Sequence, residues 1–101
     1  MERIEAREVT VRIPPSMACL VEGDHIVAML LDKALAKKEY FGSKIKLLES
    51  KYGTDFAAFK RRAEEGEENF EEWDDLLLWE GYVLAYIDWG KKHEDLRRCM
   101  T

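Results

Sequence analysis

The sequence predicts a mainly α-helical single domain, residues 1–101, with one N-terminal β-strand that pairs in an oligomer. Segment 70–98 contains all three tryptophans and is typical of one long helix whose apolar residues occupy two separate faces. Segment 24–52 has the pattern of a second long helix, and segment 7–13 alternates apolar and polar residues as a strand does. We therefore expect a strand, a short helix, a long helix, a second short helix and a last long helix, with the two long helices antiparallel.

The composition is that of one soluble globular domain. At 101 residues the chain can bury roughly two-thirds of its unfolded surface, and its 37% charged and 47% hydrophobic residues argue against disorder. No run approaches about 18 apolar residues and the N-terminus has no hydrophobic signal region, so we expect no membrane partner. Cys19 and Cys99 stand far apart, as free thiols of a reducing compartment do, and we expect a cytoplasmic location.

The predicted strand, 7–13, has apolar residues on one side only, and Pro14 and Pro15 end it. The apolar residues are Val9, Val11 and Ile13. A strand without a neighbour in its own chain leaves backbone groups unpaired, so we predict pairing with a second subunit. An arm packed on the helices is the alternative.

A short helix over 17–22 is predicted from Ser16, a plausible N-cap, and from the break at Gly23. The helix over 24–52 follows, and Gly53 supplies its C-terminal stop. Its apolar seam, which Lys38 interrupts, consists of Val27, Leu31, Ala34, Phe41, Ile45, Leu48 and Tyr52.

Thr54 is the predicted cap of a helix over 55–65, which Gly66 ends, and the last helix covers 70–98. One face of this last helix gathers Trp73, Leu76, Leu77, Val83, Leu84 and Ile87, and the opposite face gathers Leu78, Trp79, Tyr82, Tyr86 and Trp89. Because a lone helix cannot bury two faces, one face is expected to serve the core and the other to meet a partner.

Glu80 falls within the first of these faces, where a charge needs a partner. If Tyr52 lies near Phe70 in an antiparallel pair of helices, Lys38 comes close to Glu80. We therefore predict a buried ion pair between Glu80 and Lys38, or its neighbour Lys37.

Known catalytic and ligand-binding motifs are missing. The chain contains no P-loop, no dinucleotide fingerprint, no HExxH and no ordered Ser, His and Asp. His25 and His93 are predicted to be surface residues near helix ends. The carboxylates of segment 70–98 lack the Glu-x-x-His spacing of di-metal bundles. We therefore predict no enzyme activity, no metal and no cofactor.

Charge is strongly segregated along the chain, whose net charge is −5. Residues 30–62 carry nine Lys or Arg against four acids, whereas residues 63–90 carry ten acids and no basic residue. An acidic run beside aromatic residues is a common composition of a protein interface. We predict a surface for a basic protein partner made of Glu71, Asp74, Asp75, Trp79, Tyr82, Tyr86 and Trp89.

Three stretches in order, EVTVRIPPSM, LLDKALAKKEYFGSKIKLLESKYGTDFAAFKRR and FEEWDDLLLWEGYVLAY, resemble a group of small antitoxin-like proteins of prokaryotes, best known from archaea. The resemblance covers about residues 7–90 and implies a type II antitoxin that dimerises and masks a small basic nuclease toxin. Many antitoxins also bind DNA through an N-terminal ribbon-helix-helix. Here the outward strand residues Glu8, Thr10 and Arg12 do not form a basic reading face, so DNA binding is not carried over.

The sequence is compatible with two functions. The first is an antitoxin-like interaction protein that forms a homo-oligomer, most simply a dimer. The second is a DNA-binding transcriptional regulator that uses the N-terminal strand and the basic middle helix. Steep weakening of any DNA complex as salt rises would identify the second.

Overall fold

The computed structural model describes residues 6–18, 21–67 and 69–99. Four helices make up most of this part of the chain: α1 is Pro15–Ala18, α2 is Gly23–Tyr52, α3 is Phe56–Glu65 and α4 is Phe70–Cys99. The predicted order and lengths of the two long helices are confirmed.

The helices α2 and α4 form an antiparallel hairpin, as predicted. Lys51 near the end of α2 pairs with Asp75 near the start of α4, whereas Leu30 and Leu96 line one groove at the opposite end of the hairpin. The short helix α3 packs on α4 at the acidic end. The described part of the chain is therefore a layer of two long helices, and α3 covers one end of it.

Local backbone chemistry sets where the helices end. Gly53 adopts the left-handed conformation (φ 65°) and its N–H donates to the Glu49 carbonyl oxygen at 2.7 Å, which stops α2 as predicted. The cap of α3 is Asp55 and not Thr54, because the Asp55 Oδ1 accepts the Ala58 N–H at 2.8 Å. At the N-terminus, α1 begins at Pro15, whose fixed φ suits the first position of a helix, so Ser16 lies within the helix and is not its predicted cap. The predicted range was 17–22, of which residues 19 and 20 lie outside the described residues.

The core is small and lies where α3 meets the hairpin. The buried side chains are Leu48, Phe59, Ala63, Leu76 and Trp79, and the half-buried side chains packed on them are Ile45, Tyr52, Phe56, Tyr82 and Val83. The predicted seam of α2 faces inward, since Ala34 and Leu48 are buried and the others are half-buried. Gly42 allows the helices to approach closely, because a Cβ there would lie 3.2 Å from the Tyr86 ring.

One face of α4 packs on α2 and α3 and the other is exposed. The inward face carries Trp79, Tyr82, Tyr86 and Trp89 together with Leu76 and Val83, two residues that the helical pattern had assigned to the opposite face. The outward face, here named the outer stripe, consists of Phe70, Trp73, Leu77, Glu80, Leu84, Ile87 and Lys91, of which Glu80 is half-buried and the rest are exposed. Its apolar members remain exposed, from 38% at Trp73 to 84% at Phe70.

The predicted strand is not observed. Residues 6–14, here named the N-terminal arm, have no regular secondary structure, and Val9, Val11 and Ile13 are exposed by 81%, 68% and 37%. Within the described ranges no other segment is extended beside the arm, so its backbone groups have no ladder to join. The alternative, in which the arm packs on the helices, is not observed either, because every residue of the arm is exposed.

The chain is elongated and exposes a large surface. Its radius of gyration is 19.3 Å and its dimensions are 61 × 36 × 20 Å. The accessible surface is 8576 Å², whereas a compact monomer of this mass exposes about 5,900 Å². The excess is larger than the surface that one protein contributes to a standard interface, about 800 Å².

Candidate functional site

The acidic end of the hairpin is organised by Lys51. Its Nζ donates to Glu71 Oε1 at 3.0 Å and to Asp75 Oδ2 at 2.7 Å, which ties the last turn of α2 to the first turns of α4. Glu71 remains mostly exposed, whereas the Asp75 side chain is 16% exposed. Two of the predicted partner-binding carboxylates are therefore already bound within the chain, and Asp75 has little surface left to offer.

Tyr52 adds a second hydrogen bond between α2 and Asp75 of α4. Its hydroxyl donates a hydrogen bond to the same carboxylate oxygen that Lys51 contacts. The hydrogen bond from Lys51, followed by that from Tyr52, lowers the pKa of Asp75. Conversely, the hydrogen bonds to Asp75 and Glu71 raise the pKa of Lys51. Burial, and then the hydrogen bond to Asp75, raises the pKa of Tyr52.

A second contact fixes α3 at this end. Arg62 Nη2 lies 3.7 Å from Glu72 Oε1, and its guanidinium carbon lies 5.3 Å from the centroid of the Phe59 ring and 5.8 Å from that of Tyr52. Cation–π contact and the ion pair together hold the helix over the aromatic core. The carboxylates that stay exposed here, named the acidic surface, are Glu64, Glu65, Glu67, Glu71 and Asp74.

Trp79, predicted to anchor a partner, is instead the centre of the core. It is 0% exposed, and its ring centroid lies 5.2 Å from that of Phe59, 5.8 Å from Phe56 and 6.2 Å from Tyr52. The prediction that Trp79 binds a partner is wrong because α3 covers this position. The two faces of α4 are both apolar in sequence, so the helical pattern does not say which one α3 covers.

Tyr82, Tyr86 and Trp89 also lie on the inward face. Tyr82 is half-buried, and its ring centroid lies 6.1 Å from that of Phe41. The Tyr86 ring lies beside Gly42 of α2, and the residue is 38% exposed. Trp89 lines an open apolar groove of about 350 Å³ at the end of the hairpin opposite α3. These three residues do not form one surface with the predicted carboxylates.

The predicted ion pair between Lys38 and Glu80 does not form. Lys38 lies instead against Tyr86 and Gly90, about two turns further along α4 than Glu80. The prediction assumed that Tyr52 meets Phe70, but α3 shifts the pairing so that Tyr52 meets Asp75. Among the described residues, no ion pair joins Glu80 to a basic side chain.

Phe70 and Trp73 were not among the predicted partner-binding residues. Both are exposed in the first turn of α4, beside the exposed carboxylates Glu71 and Asp74. The signal was present in the spacing of the outer stripe, whose members recur every three or four residues. The structure therefore brings acidic and apolar residues together, but with different apolar residues from those predicted.

The described ranges contain no group of three or more His, Cys, Asp or Glu placed to hold a metal ion. Of the helices in these ranges, none has the length and apolar content needed to cross a bilayer. Comparisons with protein-family models, with curated proteins and with solved structures found no match.

Proposed function

We propose that this chain is a cytoplasmic, antitoxin-like interaction subunit that associates with itself and binds and masks a small basic protein such as a toxin. The observation that supports this most is the acidic surface, whose carboxylates stay exposed at one end of a chain that leaves an unusually large area uncovered. The resemblance of three sequence stretches to antitoxin-like proteins supports the same proposal.

The charge of the acidic surface selects for a basic partner. Lys51 and Arg62 neutralise part of Glu71, Asp75 and Glu72, which leaves Glu67 and Asp74 exposed to solvent. Uncompensated carboxylates on a rim accelerate encounter with a positive surface and repel acidic proteins. A nuclease toxin, which must bind phosphate groups, offers such a positive surface.

The N-terminal arm is the second element that another chain can order. Its apolar residues Val9, Val11 and Ile13 alternate as in a strand and are exposed. Addition of such a segment to the edge of another chain's sheet satisfies its backbone groups and buries its apolar side. We propose that the strand over 7–13 forms only in association, with a copy or with the basic partner.

The test is capture of the partner by tagged chain from the source cells, with mass spectrometry of the bound proteins. The expected partner is small and basic, and its association rate with purified chain falls as salt rises. The double variant Glu67→Lys and Asp74→Lys should reduce the association rate most at low salt. Asp32→Lys with Glu39→Lys on α2 makes the same change in net charge and serves as the matched control.

The masking activity is tested separately. The captured protein should cleave RNA when alone and lose this activity when the chain is added in stoichiometric amount. If the parent and both double variants bind the captured protein equally at every salt concentration, the acidic surface is only a solvated surface. If the captured protein is acidic, or has no activity that the chain suppresses, the antitoxin proposal is wrong.

DNA binding remains the second candidate because lysines gather on one side of α2. Lys33 and Lys37 line one shallow groove with Tyr40, and Lys44 lies 5.4 Å from the Tyr40 ring centroid. A phosphate-driven complex at this side must weaken steeply with salt. Exchange of Lys33, Lys37 and Lys44 for Gln should abolish it without affecting capture of a basic protein.

A further inference from the structure

We infer that the outer stripe of α4 is a two-fold interface in which α4 of one chain packs antiparallel on α4 of a second copy. The inference rests on the self-association included in the proposed function and specifies its surface and direction. It assigns a partner to the exposed face of α4, which neither α2 nor α3 covers.

The spacing of the outer stripe is that of a coiled-coil seam. From Phe70 to Lys91 its seven members, Phe70, Trp73, Leu77, Glu80, Leu84, Ile87 and Lys91, are separated alternately by three and four residues. A 3.5-residue repeat keeps one narrow face of a helix against another helix over its whole length. The apolar seam of α2 has the same alternating spacing, and it packs on α4 within the chain.

The outer stripe leaves large apolar side chains open to a partner helix. Leu77, Leu84 and Ile87 are each more than 60% exposed, and Phe70 is 84% exposed. The whole chain, including its exposed N-terminal arm, has about 2,700 Å² more surface than a compact monomer of this mass, and a standard interface needs about 800 Å² from each partner. Burial of this stripe against a copy would remove these apolar side chains from water.

Charge determines the direction of pairing. Parallel helices would bring the acidic first turns of the two α4 helices, with the exposed Asp74, side by side, which is unfavourable. Antiparallel helices separate these turns and place Lys91 of the copy near Phe70. The opposed helix dipoles favour the same direction.

The antiparallel arrangement predicts specific contacts. With the two-fold axis beside Glu80, Leu77 packs on Leu84 of the second copy and Trp73 packs on its Ile87. Glu80 then lies next to Glu80 of the copy in the middle of an apolar seam. A polar residue at one seam position lowers the stability of the dimer and fixes its register. The N-terminal arms, joined to the starts of the two α2 helices, lie at opposite ends of this dimer and take no part in it.

Site-specific disulfide formation tests both the surface and the direction. Leu77→Cys and Leu84→Cys are made in separate chains that carry different tags, in a background with Cys19→Ser and Cys99→Ser. Each variant is oxidised alone and as an equal mixture, and Glu39→Cys on α2 is the control for random collision. Helical content by circular dichroism confirms that each variant folds.

The expected result is a covalent dimer that contains both tags, formed efficiently only in the mixture. Efficient linkage within each single variant would show a parallel pair and overturn the inferred direction. Linkage no greater than that of the Glu39→Cys control, in chains that are folded, would overturn the interface itself.

Glu80 supplies a second, independent readout. Glu80→Leu should lower the Kd of self-association roughly tenfold or more, because an apolar seam replaces two opposed carboxylates. Leu77→Glu should raise it by a similar factor. Unchanged Kd in both variants would overturn the inference. Capture of the basic partner is measured on the same variants, so an interface that fails while capture persists leaves the proposed function in place.

Discussion

The ammonium nitrogen of Lys38 lies 5.5 Å from the centroid of the Tyr86 ring, across the contact between α2 and α4. Its aliphatic carbons pass beside Gly90, where a Cβ would lie 3.6 Å from Lys38 Cε. The one charged position in the seam of α2 is therefore accommodated by an aromatic ring and a residue without a side chain, not by a carboxylate.

This contact predicts that Lys38 and Glu80 act independently. Lys38 contacts α4 about two turns beyond Glu80. The effects of Lys38→Met and Glu80→Gln on the free energy of unfolding should therefore add to within about 0.5 kcal/mol. A double-mutant cycle by urea denaturation measures this, with protein concentration held fixed. A coupling energy above about 1 kcal/mol would show that the two residues interact.

Asp75 should control the stability of the acidic end at low pH. The folded state lowers its pKa, so the stability it contributes is present above the unfolded value, near 3.9, and is lost as pH falls through the folded value. Asp75→Asn should reduce the free energy of unfolding at neutral pH by about 1 kcal/mol and should flatten the loss of stability in acid. Urea titrations between pH 7 and pH 2 measure both effects.

The control for Asp75 is its exposed neighbour Asp74. Asp74→Asn should leave the dependence of stability on pH close to that of the parent. Equal behaviour of the two variants would mean that the contacts of Asp75 with Lys51 and Tyr52 contribute nothing measurable in solution.

Trp79 should be the most sensitive core position. It is fully buried among Tyr52, Phe56 and Phe59, so Trp79→Ala should lower the free energy of unfolding by about 3 to 5 kcal/mol. Its Nε1 has no hydrogen-bond acceptor in the part of the chain described, so Trp79→Phe loses no such bond and should cost clearly less. Thermal and urea denaturation, followed by circular dichroism, compare the two.

Trp73 provides the matched control, since it is a tryptophan on the exposed face of the same helix. Trp73→Ala should affect self-association more than the stability of the chain itself. A greater loss of chain stability in Trp73→Ala than in Trp79→Ala, both measured at a concentration at which the chains are monomeric, would contradict the assignment of the two faces.

The N-terminal arm should be dispensable for the helical fold. Val11 is 68% exposed and every residue of the arm is exposed, so Val11→Asp should preserve helical content and the denaturation midpoint of the monomer. If the strand forms with a bound partner, the same variant should weaken that complex. Circular dichroism and binding to the captured partner check the two parts, and a large fall in monomer stability would show that the arm packs on the helices.

The sequence predicted the helical elements well because the signals for them are local. Gly53 stops α2 through its own backbone conformation, and the seam from Val27 to Tyr52 follows from a 3.5-residue repeat that needs no tertiary information. The strand predicted over 7–13 is not observed for the opposite reason, since alternating residues form a strand only where a second strand lies beside them.

The candidate site was harder to predict because it depends on register. The connection through α3 decides that Lys51 meets Asp75, and nothing in the spacing of α2 or α4 fixes that offset. Likewise, α4 has two apolar faces, and only the packing of Phe59 on Trp79 selects the inward one. Of the predicted site, Glu71 and Asp74 are exposed as expected, whereas Trp79 lies in the core.

Self-association is the claim on which the proposed function and the assigned interface both depend. Light scattering coupled to size exclusion, at tens of micromolar protein and moderate salt, measures the mass directly. We predict twice the 11.8 kDa of one chain, with loss of the dimer in Leu77→Glu. A mass of one chain for the folded parent protein at these concentrations would contradict the account.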